Sequence, residues 1–320
     1  MPLLRSSPDD FAVLIERVAG KLAYPAAFVE RDYWITEILR SIAQPIENYD
    51  AGVVFKGGTS LSKGWHLIQR MSEDVDILLV FGETATQNDR DRVLKYLIER
   101  VERDIGLAAT GNTARTNVHR ARSFEYPQQY EHGALTGERV LLELGTRGGP
   151  EPHEFLTVRS LVAEVAIRDF GSSPAEFIEF ASLDINTLRP ERTMFEKIAA
   201  LHTLATKGAT DPTVYEDLKT KLRHTYDVAM LLNDPQMLSA LQELDRASIL
   251  ADIEVRSAAS WEWTPRPEGG FADSPAFTGA FLKHPAVGAA YARALELVVG
   301  GPKPSLDEVA ALVREHSAVL

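Results

Sequence analysis

Two aspartates at the start of an apolar run constrain this sequence more than any other feature. Asp74 and Asp76 stand two residues apart, and the run from Val75 to Phe81 is nearly all apolar after Asp76. Alternate residues of a β-strand point to the same face, so both carboxylates are expected on one side of a strand. The apolar run is typical of a central strand. The alternative is an exposed strand edge that carries acids.

A pair of glycines precedes this strand by a short interval. Residues 52–55 predict a strand that enters a tight turn at Gly57 and Gly58, and Thr59 or Ser60 can cap a helix that runs to about Trp65. Glycine allows close backbone approach, and free N–H groups at a helix start form an anion site that suits phosphate. Taken alone, the Gly-Gly turn is a common feature and a weak signal.

The two features together predict a metal site beside a phosphate site. Paired carboxylates repel each other, and Mg²⁺ is a hard cation that prefers carboxylate oxygen and shares its other positions with phosphates. Glu143 lies in the apolar run Arg139 to Leu144 and is the natural third ligand beside Asp74 and Asp76. The alternative for Glu143 is an outward position on a half-exposed strand. This order of elements resembles that of polymerase-beta-like nucleotidyltransferases, which use paired metal ions.

Several motifs resemble the AbiEii-type toxins, a nucleotidyltransferase family of bacterial toxin–antitoxin pairs to which the mycobacterial MenT toxins are related. The signature covers residues 55–63 (FKGGTSLSK) and 70–76 (RMSEDVD). Upstream, residues 30–34 (ERDYW) resemble a helical segment of the family. Downstream, residues 195–201 (FEKIAAL) resemble its lysine motif, and residues 223–227 (RHTYD) resemble its Arg-Asp-x-x-Asp segment, with His224 where an aspartate is more usual.

The resemblance implies a role for each matching residue. Asp74 and Asp76 would bind Mg²⁺, Lys197 would reach the triphosphate of the NTP substrate, and Asp227 would be a further essential carboxylate near the acceptor. The residues that would bind nucleotide phosphates or support the site are Lys56, Gly57, Gly58, Thr59, Ser60, Lys63, Arg70 and Ser72. Two Mg²⁺ ions are expected.

Three of these assignments have simpler alternatives. Lys197 lies in an apolar helix, where a lysine often only extends to solvent. Asp227 could pair with Arg223, four residues earlier on the same helix. Arg70 could pair with Glu73 or Asp74 on the adjacent turn.

The pattern of elements predicts an α+β fold with a mixed sheet, followed by a helical half. We expect a nucleotidyltransferase domain with N-terminal helices over residues 1–190. Residues 191–320 would form a helical domain that completes the active site. Continuous helices are expected over residues 192–205, 214–232, 236–250 and 276–298 from their apolar spacing.

Composition limits the partners. The formal charge of −12 disfavours general nucleic-acid binding, so any RNA contact needs a local basic surface. Two stretches can supply one, although each can equally be a solvated face: Arg115, His119, Arg120 and Arg122, and Lys219, Lys221, Arg223 and His224. The absence of cysteine excludes disulfides and thiolate metal sites. Neither a signal peptide nor a membrane span is expected, which predicts a cytoplasmic protein.

Three functional hypotheses follow. The first is a toxin that transfers nucleotides from NTP to an RNA acceptor, such as the 3′ end of tRNA, and is held by a cognate antitoxin. The second is a small-molecule nucleotidyltransferase that modifies an antibiotic with the same catalytic residues. The third is a non-catalytic nucleotide-binding regulator. An incomplete metal cage would favour the third hypothesis.

Overall fold

A computed structural model describes residues 1–115, 118–135, 137–218, 221–258 and 263–320. The chain divides into two compact units. The first comprises Met1–Gly64 and Met71–Thr187, and the second comprises Trp65–Arg70 and Leu188–Leu320. Within the described ranges, every helix is too short or too polar to cross a bilayer.

A mixed sheet forms the centre of the first unit. In the described part of the chain it has seven strands: β1 (Ala51–Lys56), β2 (Asp74–Phe81), β3 (Ala109–Arg115), β4 (His119–Glu125), β5 (Arg139–Gly145), β6 (His153–Val158) and β7 (Leu183–Leu188). Their order is β3-β4-β5-β2-β1-β7-β6. Strand β2 is therefore central, as its apolar sequence predicts.

The register of the central strands brings charged residues into one row. Strand β2 is antiparallel to β1 and parallel to β5, and Asp76 lies opposite Lys56 on one side and Glu143 on the other. Side chains alternate along β2, with Asp74 and Asp76 partly exposed and Val75 and Ile77 buried. The two aspartates therefore share a face of the sheet, as predicted.

Helices cover the sheet of the first unit. They are α1 (Pro8–Leu22), α2 (Ala26–Ile42), α3 (Gly57–Thr59), α4 (Gln87–Ile105) and α5 (Leu161–Phe170), and α3 continues as a π-helical turn over Ser60–Gly64. Helix α2 packs against α1, α4, α5, β2 and β5 and is buried along almost its whole length. Such a helix must be apolar all round or must satisfy its polar groups internally.

The second unit is helical. Its helices are α6 (Pro190–Gly208), α7 (Arg223–Leu232), α8 (Pro235–Glu243), α9 (Arg246–Ala258), α10 (Gly279–Leu282), α11 (Pro285–Glu296) and α12 (Leu306–Glu315). Helix α7 lies at the centre, in contact with α6, α8, α11 and α12. Most of its side chains are buried.

The predicted α+β class with a mixed sheet and a following helical half is confirmed, but several helices are shorter than predicted. Residues 212–217 form a 3-10 helix, and α7 begins only at Arg223. Residues 276–298 are interrupted before Pro285, which starts α11 with His284 as its cap. An extended Leu244 ends α8 and splits residues 236–250. Periodicity predicted the apolar faces but missed these local stops.

Candidate active site

The Gly-Gly turn lies directly against the second aspartate of the pair. Strand β1 ends at Lys56, and Gly57 follows with a φ of 77° in the left-handed region. A Cβ atom added to Gly57 would lie 2.0 Å from Oδ2 of Asp76. Only glycine fits here, because both the backbone conformation and the adjacent carboxylate exclude a side chain. The turn and the carboxylate pair thus form one site.

Glu143 joins this site from the neighbouring strand. Burial raises the pKa of Glu143 to about 7, and the charge of Asp76 and a hydrogen bond to it add to the effect. Asp74 raises the pKa of Glu143 further, whereas Lys56 lowers it. Burial and the neighbouring acids therefore outweigh the effect of Lys56 on the pKa of Glu143. A bound cation would relieve this repulsion.

The donor atoms fit a hard cation. Carboxylate oxygens on adjacent strands are the ligands that Mg²⁺ prefers. Among the residues that the structure describes, however, no three His, Asp or Glu side chains converge as a ready-made metal cage. The pairing of Asp76 with Glu143 is in place, and a cage completed by Asp74 remains a prediction.

The hydroxyl groups of the turn bind the protein backbone. Helix α3 begins at Gly57 after an extended Lys56, so Thr59 and Ser60 lie inside the helix and do not cap it, in contrast to the prediction. The Thr59 hydroxyl donates to the carbonyl oxygen of Asp74. Ser60 Oγ donates to the Gly57 carbonyl oxygen at 2.9 Å. Thr59 therefore ties the turn to the first residue of β2.

Lys63 and Ser72 are buried beside the site. The Lys63 ammonium lies 2.7 Å from Oδ1 of Asp32 and donates to the carbonyl oxygen of Arg159 at 2.9 Å. With its ammonium bound in this way, Lys63 is better suited to support the site than to hold a phosphate. Ser72 lies two residues before Asp74, and its predicted role stays a prediction.

The second unit contains a separate cluster of buried charges. Arg70 binds Asp227 through two bonds, from Nε to Oδ1 at 2.6 Å and from Nη2 to Oδ2 at 2.7 Å. Nζ of Lys197 lies 2.8 Å from Oδ2 of Asp227 and 3.2 Å from Nδ1 of His224. Lys197 of the lysine motif and Asp227 of the RHTYD motif therefore lie in one cluster with Arg70.

The cluster stabilises its own charges. Burial alone would raise the pKa of Asp227, but the Arg70 and Lys197 cations outweigh it and hold the pKa well below its usual range. Burial also lowers the pKa of Lys197 and, with the Lys197 charge, lowers that of His224 far below its ordinary value. His224 is thus neutral, and its imidazole can accept a hydrogen bond from Lys197.

These contacts bear on the alternatives for Lys197, Asp227 and Arg70. Lys197 is only 5% exposed and its ammonium binds within the protein, so it does not extend to solvent. The described ion pairs of Asp227 are with Arg70 and Lys197, and that of Arg70 is with Asp227. All three residues therefore have internal partners that the spacing of neighbouring charges did not predict.

Sequence reasoning matched residues 30–34 to the family but assigned them no function. Arg31 lies 3.4 Å from Glu73, the residue before Asp74, and Asp32 binds Lys63. A signal was present, since Glu30, Arg31 and Asp32 are three consecutive charges between the apolar residues 26–29 and the aromatic or aliphatic residues 33–35. Charges at such positions are expected to have specific partners.

Comparison with known proteins identifies the family of the chain. The solved structure of MenT4, a nucleotidyltransferase toxin from Mycobacterium tuberculosis H37Rv, matches with 16% identity over 95% of this chain and 99% of that chain, at a TM-score of 0.43, too low to support an argument. Curated proteins gave no significant match. The family model described as "Nucleotidyl transferase AbiEii toxin, Type IV TA system" matches residues 38–312. The chain therefore belongs to the AbiEii family of nucleotidyl transferase toxins.

Proposed function

We propose that this nucleotidyltransferase moves a nucleotide from an NTP to an RNA acceptor, such as the 3′ end of a tRNA, in a Mg²⁺-dependent reaction in the cytoplasm. The observation that carries the proposal is the packing of the Asp76 carboxylate against Gly57, with Glu143 opposite Asp76 on the neighbouring strand. One site thus combines a backbone turn suited to phosphate with acids that need a cation.

The reaction needs positioning and charge neutralisation more than covalent help from the protein. The acceptor hydroxyl oxygen forms a bond to the α-phosphorus, the bond from that phosphorus to the bridging oxygen breaks, pyrophosphate leaves, and the hydroxyl proton passes to solvent. Gly57 and Gly58 would approach the phosphates closely, with Lys56 as an adjacent cation. Mg²⁺ held by Asp74, Asp76 and Glu143 would neutralise the triphosphate and polarise its oxygens.

The second unit contributes residues that the family resemblance marks as essential. We infer that Asp227 acts by fixing Arg70 and Lys197, since it binds both cations while almost wholly buried. The family resemblance implies that Lys197 reaches the triphosphate, for which its ammonium would have to leave Asp227. Replacing Lys197 with alanine should lower kcat/KM by at least about 10²-fold, the usual effect of removing one group that stabilises transition-state charge.

Basic residues of the first unit are the candidates for contact with an RNA acceptor. A cavity of about 350 Å³ is lined by Arg90 and Arg147, with Ala85, Gln87, Val118 and Thr146. His119, Arg120 and Arg122 lie on β4, and Arg120 also binds Asp91 at 2.9 Å. Lys219 and the side chain of Arg115 lie outside the described residues. On a chain with a net charge of −12, such a surface is where a phosphate backbone would bind.

The family also implies regulation by an antitoxin. Production of this chain alone should arrest bacterial growth, and a protein encoded beside it should relieve the arrest. The arrest should depend on Asp76.

The test uses the purified protein with each labelled NTP, Mg²⁺ and either total tRNA or a panel of aminoglycosides. Label on RNA supports the proposal, whereas label on the drug alone supports the antibiotic-modifying alternative. Asp76→Ala should lower activity by about 10³-fold, because several kcal/mol of charge stabilisation depend on the metal site. Replacement of the exposed Glu99 with glutamine is the matched control. Persistent growth arrest without any transfer would indicate a non-catalytic regulator.

A further inference from the structure

Helix α2 carries three consecutive buried charges. Glu30 and Arg31 are 0% exposed and Asp32 is 7% exposed. Burying a charge costs several kcal/mol unless it is paired and hydrogen-bonded. Successive residues of a helix point about 100° apart, so each charge must find its partners in a different part of the unit.

Arg31 holds the start of the strand that carries the aspartates. Its Nη1 lies 3.4 Å from Oε1 of Glu73, and its Nε donates to the Tyr126 hydroxyl at 3.1 Å. The backbone carbonyl of Glu73 accepts from the N–H of Leu141 on β5 at 3.3 Å. Arg31 is thus fixed to the residue directly before Asp74.

Asp32 binds the segment that begins at Gly57. Its Oδ1 lies 2.7 Å from Nζ of Lys63, and its Oδ2 accepts from the N–H of Leu161 at 2.7 Å. Lys63 belongs to the π-helical turn that continues from the helix starting at Gly57. Asp32 therefore anchors the far end of the segment whose near end contacts Asp76.

We propose that Arg31 and Asp32 are positioning residues of the transfer reaction, acting through Glu73 and Lys63. The proposal rests on the proposed function of the carboxylate site. Helix α2 is a rigid 17-residue element, so its two charged side chains set β2 and the Gly57 segment against each other. That contact has no spare room, since even a Cβ at Gly57 would overlap Asp76. Displacements of about 1 Å can cost about 10²-fold in rate.

The same helix provides a matched control. Glu37 is 4% exposed and binds Arg5 at 3.2 Å and Arg40 at 3.1 Å. None of the partners that the structure describes for Glu37 contacts the carboxylate site. Replacing Glu37 with glutamine therefore disturbs a buried ion pair of the same helix without releasing Lys63 or Glu73.

The experiment compares Asp32→Asn, Glu73→Gln and Glu37→Gln. For each variant, kcat, KM for NTP, melting temperature and the shift of melting temperature on adding Mg²⁺ are measured. We expect Asp32→Asn and Glu73→Gln to lower kcat by about 10-fold to 100-fold with a smaller change in KM. Both should also need about 10-fold more Mg²⁺ for half of the full shift, as when a partner of a metal ligand is lost.

Glu37→Gln should lower the melting temperature to a similar extent yet keep kcat and the Mg²⁺ response of the unmodified protein. The double variant Asp32→Asn with Lys63→Met should be no slower than the slower single variant, because the two residues act as a pair. A variant Asp32→Asn with unchanged kcat and Mg²⁺ response would overturn the proposal. So would a fall in kcat for all three variants in proportion to melting temperature.

The Mg²⁺ response separates this proposal from the proposed function. If the unmodified protein binds Mg²⁺ but transfers no nucleotide, the proposed function fails. The positioning role is then still decided by whether Asp32→Asn weakens the Mg²⁺ response while Glu37→Gln preserves it.

Discussion

Both units bury charged side chains, but the balance of charge differs between them. In the first unit, Asp76 lies opposite Glu143 on one side and Lys56 on the other, and the pKa of Glu143 rises to about 7. In the second unit, Asp227 lies between Arg70 and Lys197, and its pKa falls. The ions of the second unit are paired with one another, whereas the proposed function gives the carboxylates of the first unit a cation from outside. The two clusters thus differ in how far their charges are matched by partners within the protein.

The largest effect should come from breaking the balanced cluster. Asp227→Ala leaves Arg70 and Lys197 buried without their common anion, so the free energy of unfolding should fall by about 3–5 kcal/mol. Urea denaturation measures this change. Replacement of the exposed Glu243 with glutamine should change it by less than about 0.5 kcal/mol. An equally small effect of Asp227→Ala would contradict the distinction drawn between the two units.

In the first unit, the close contact between Gly57 and Asp76 should affect transfer activity more than ion pairing does. Gly57→Ala places a Cβ in the left-handed region, which costs about 1–2 kcal/mol, and forces Asp76 to move. Transfer activity should fall by about 10²-fold, since the reacting groups are displaced. Gly52→Ala on the preceding strand β1, where a Cβ meets no atom within 4 Å, is the control. Similar rates for the two variants would show that the turn has room to adjust.

In the absence of metal, the free energy of unfolding should fall as pH rises, because Glu143 loses a proton that the folded state favours. Glu143 has a pKa of about 7 in the folded protein against 4.5 ordinarily, so the folded state favours its proton. The contribution of protonated Glu143 to the free energy of unfolding is complete below about pH 4.5 and is lost as pH passes about 7. We expect a loss of about 1 kcal/mol over this window, discounted for its partial exposure. Glu143→Gln should abolish this part of the pH dependence, and Mg²⁺ should oppose it.

A histidine of the second unit should make the free energy of unfolding depend on pH in the opposite direction. His202 is 4% exposed, and its Nδ1 lies 2.9 Å from Ser274 Oγ and its Nε2 2.9 Å from the Pro265 carbonyl. Burial lowers the pKa of His202, so the neutral ring is favoured. Its contribution is present above about pH 6.5 and is lost as pH falls further.

The effect of His202 should be below about 1 kcal/mol, the smallest of the four. His202→Gln should flatten the acid side of the stability profile and leave the alkaline side unchanged. A change on the alkaline side instead would mean that the two units do not titrate independently.

The sequence predicted the central strand and its acids because alternation and apolarity are local signals. The strand order that pairs Asp76 with Glu143 could not be read from spacing, although an acid in an apolar run pointed to Glu143. Strand β6 was missed because it is partly exposed, with Phe155 67% exposed, and shows no clear alternation. The partners of Arg31, Asp32 and Asp227 depend on contacts between residues far apart in sequence, which no local pattern encodes.

The path of the chain separates one segment from its partners during synthesis. Trp65–Arg70 belongs to the second unit although residues 1–64 and 71–187 form the first. The backbone of Gln69 bonds Val299, and Arg70 binds Asp227, 157 residues later. A ribosome therefore exposes this hexapeptide long before its partners emerge. Dividing the gene at one point cannot therefore yield either unit intact. A truncated protein that ends near residue 187 would contain these six residues without their partners.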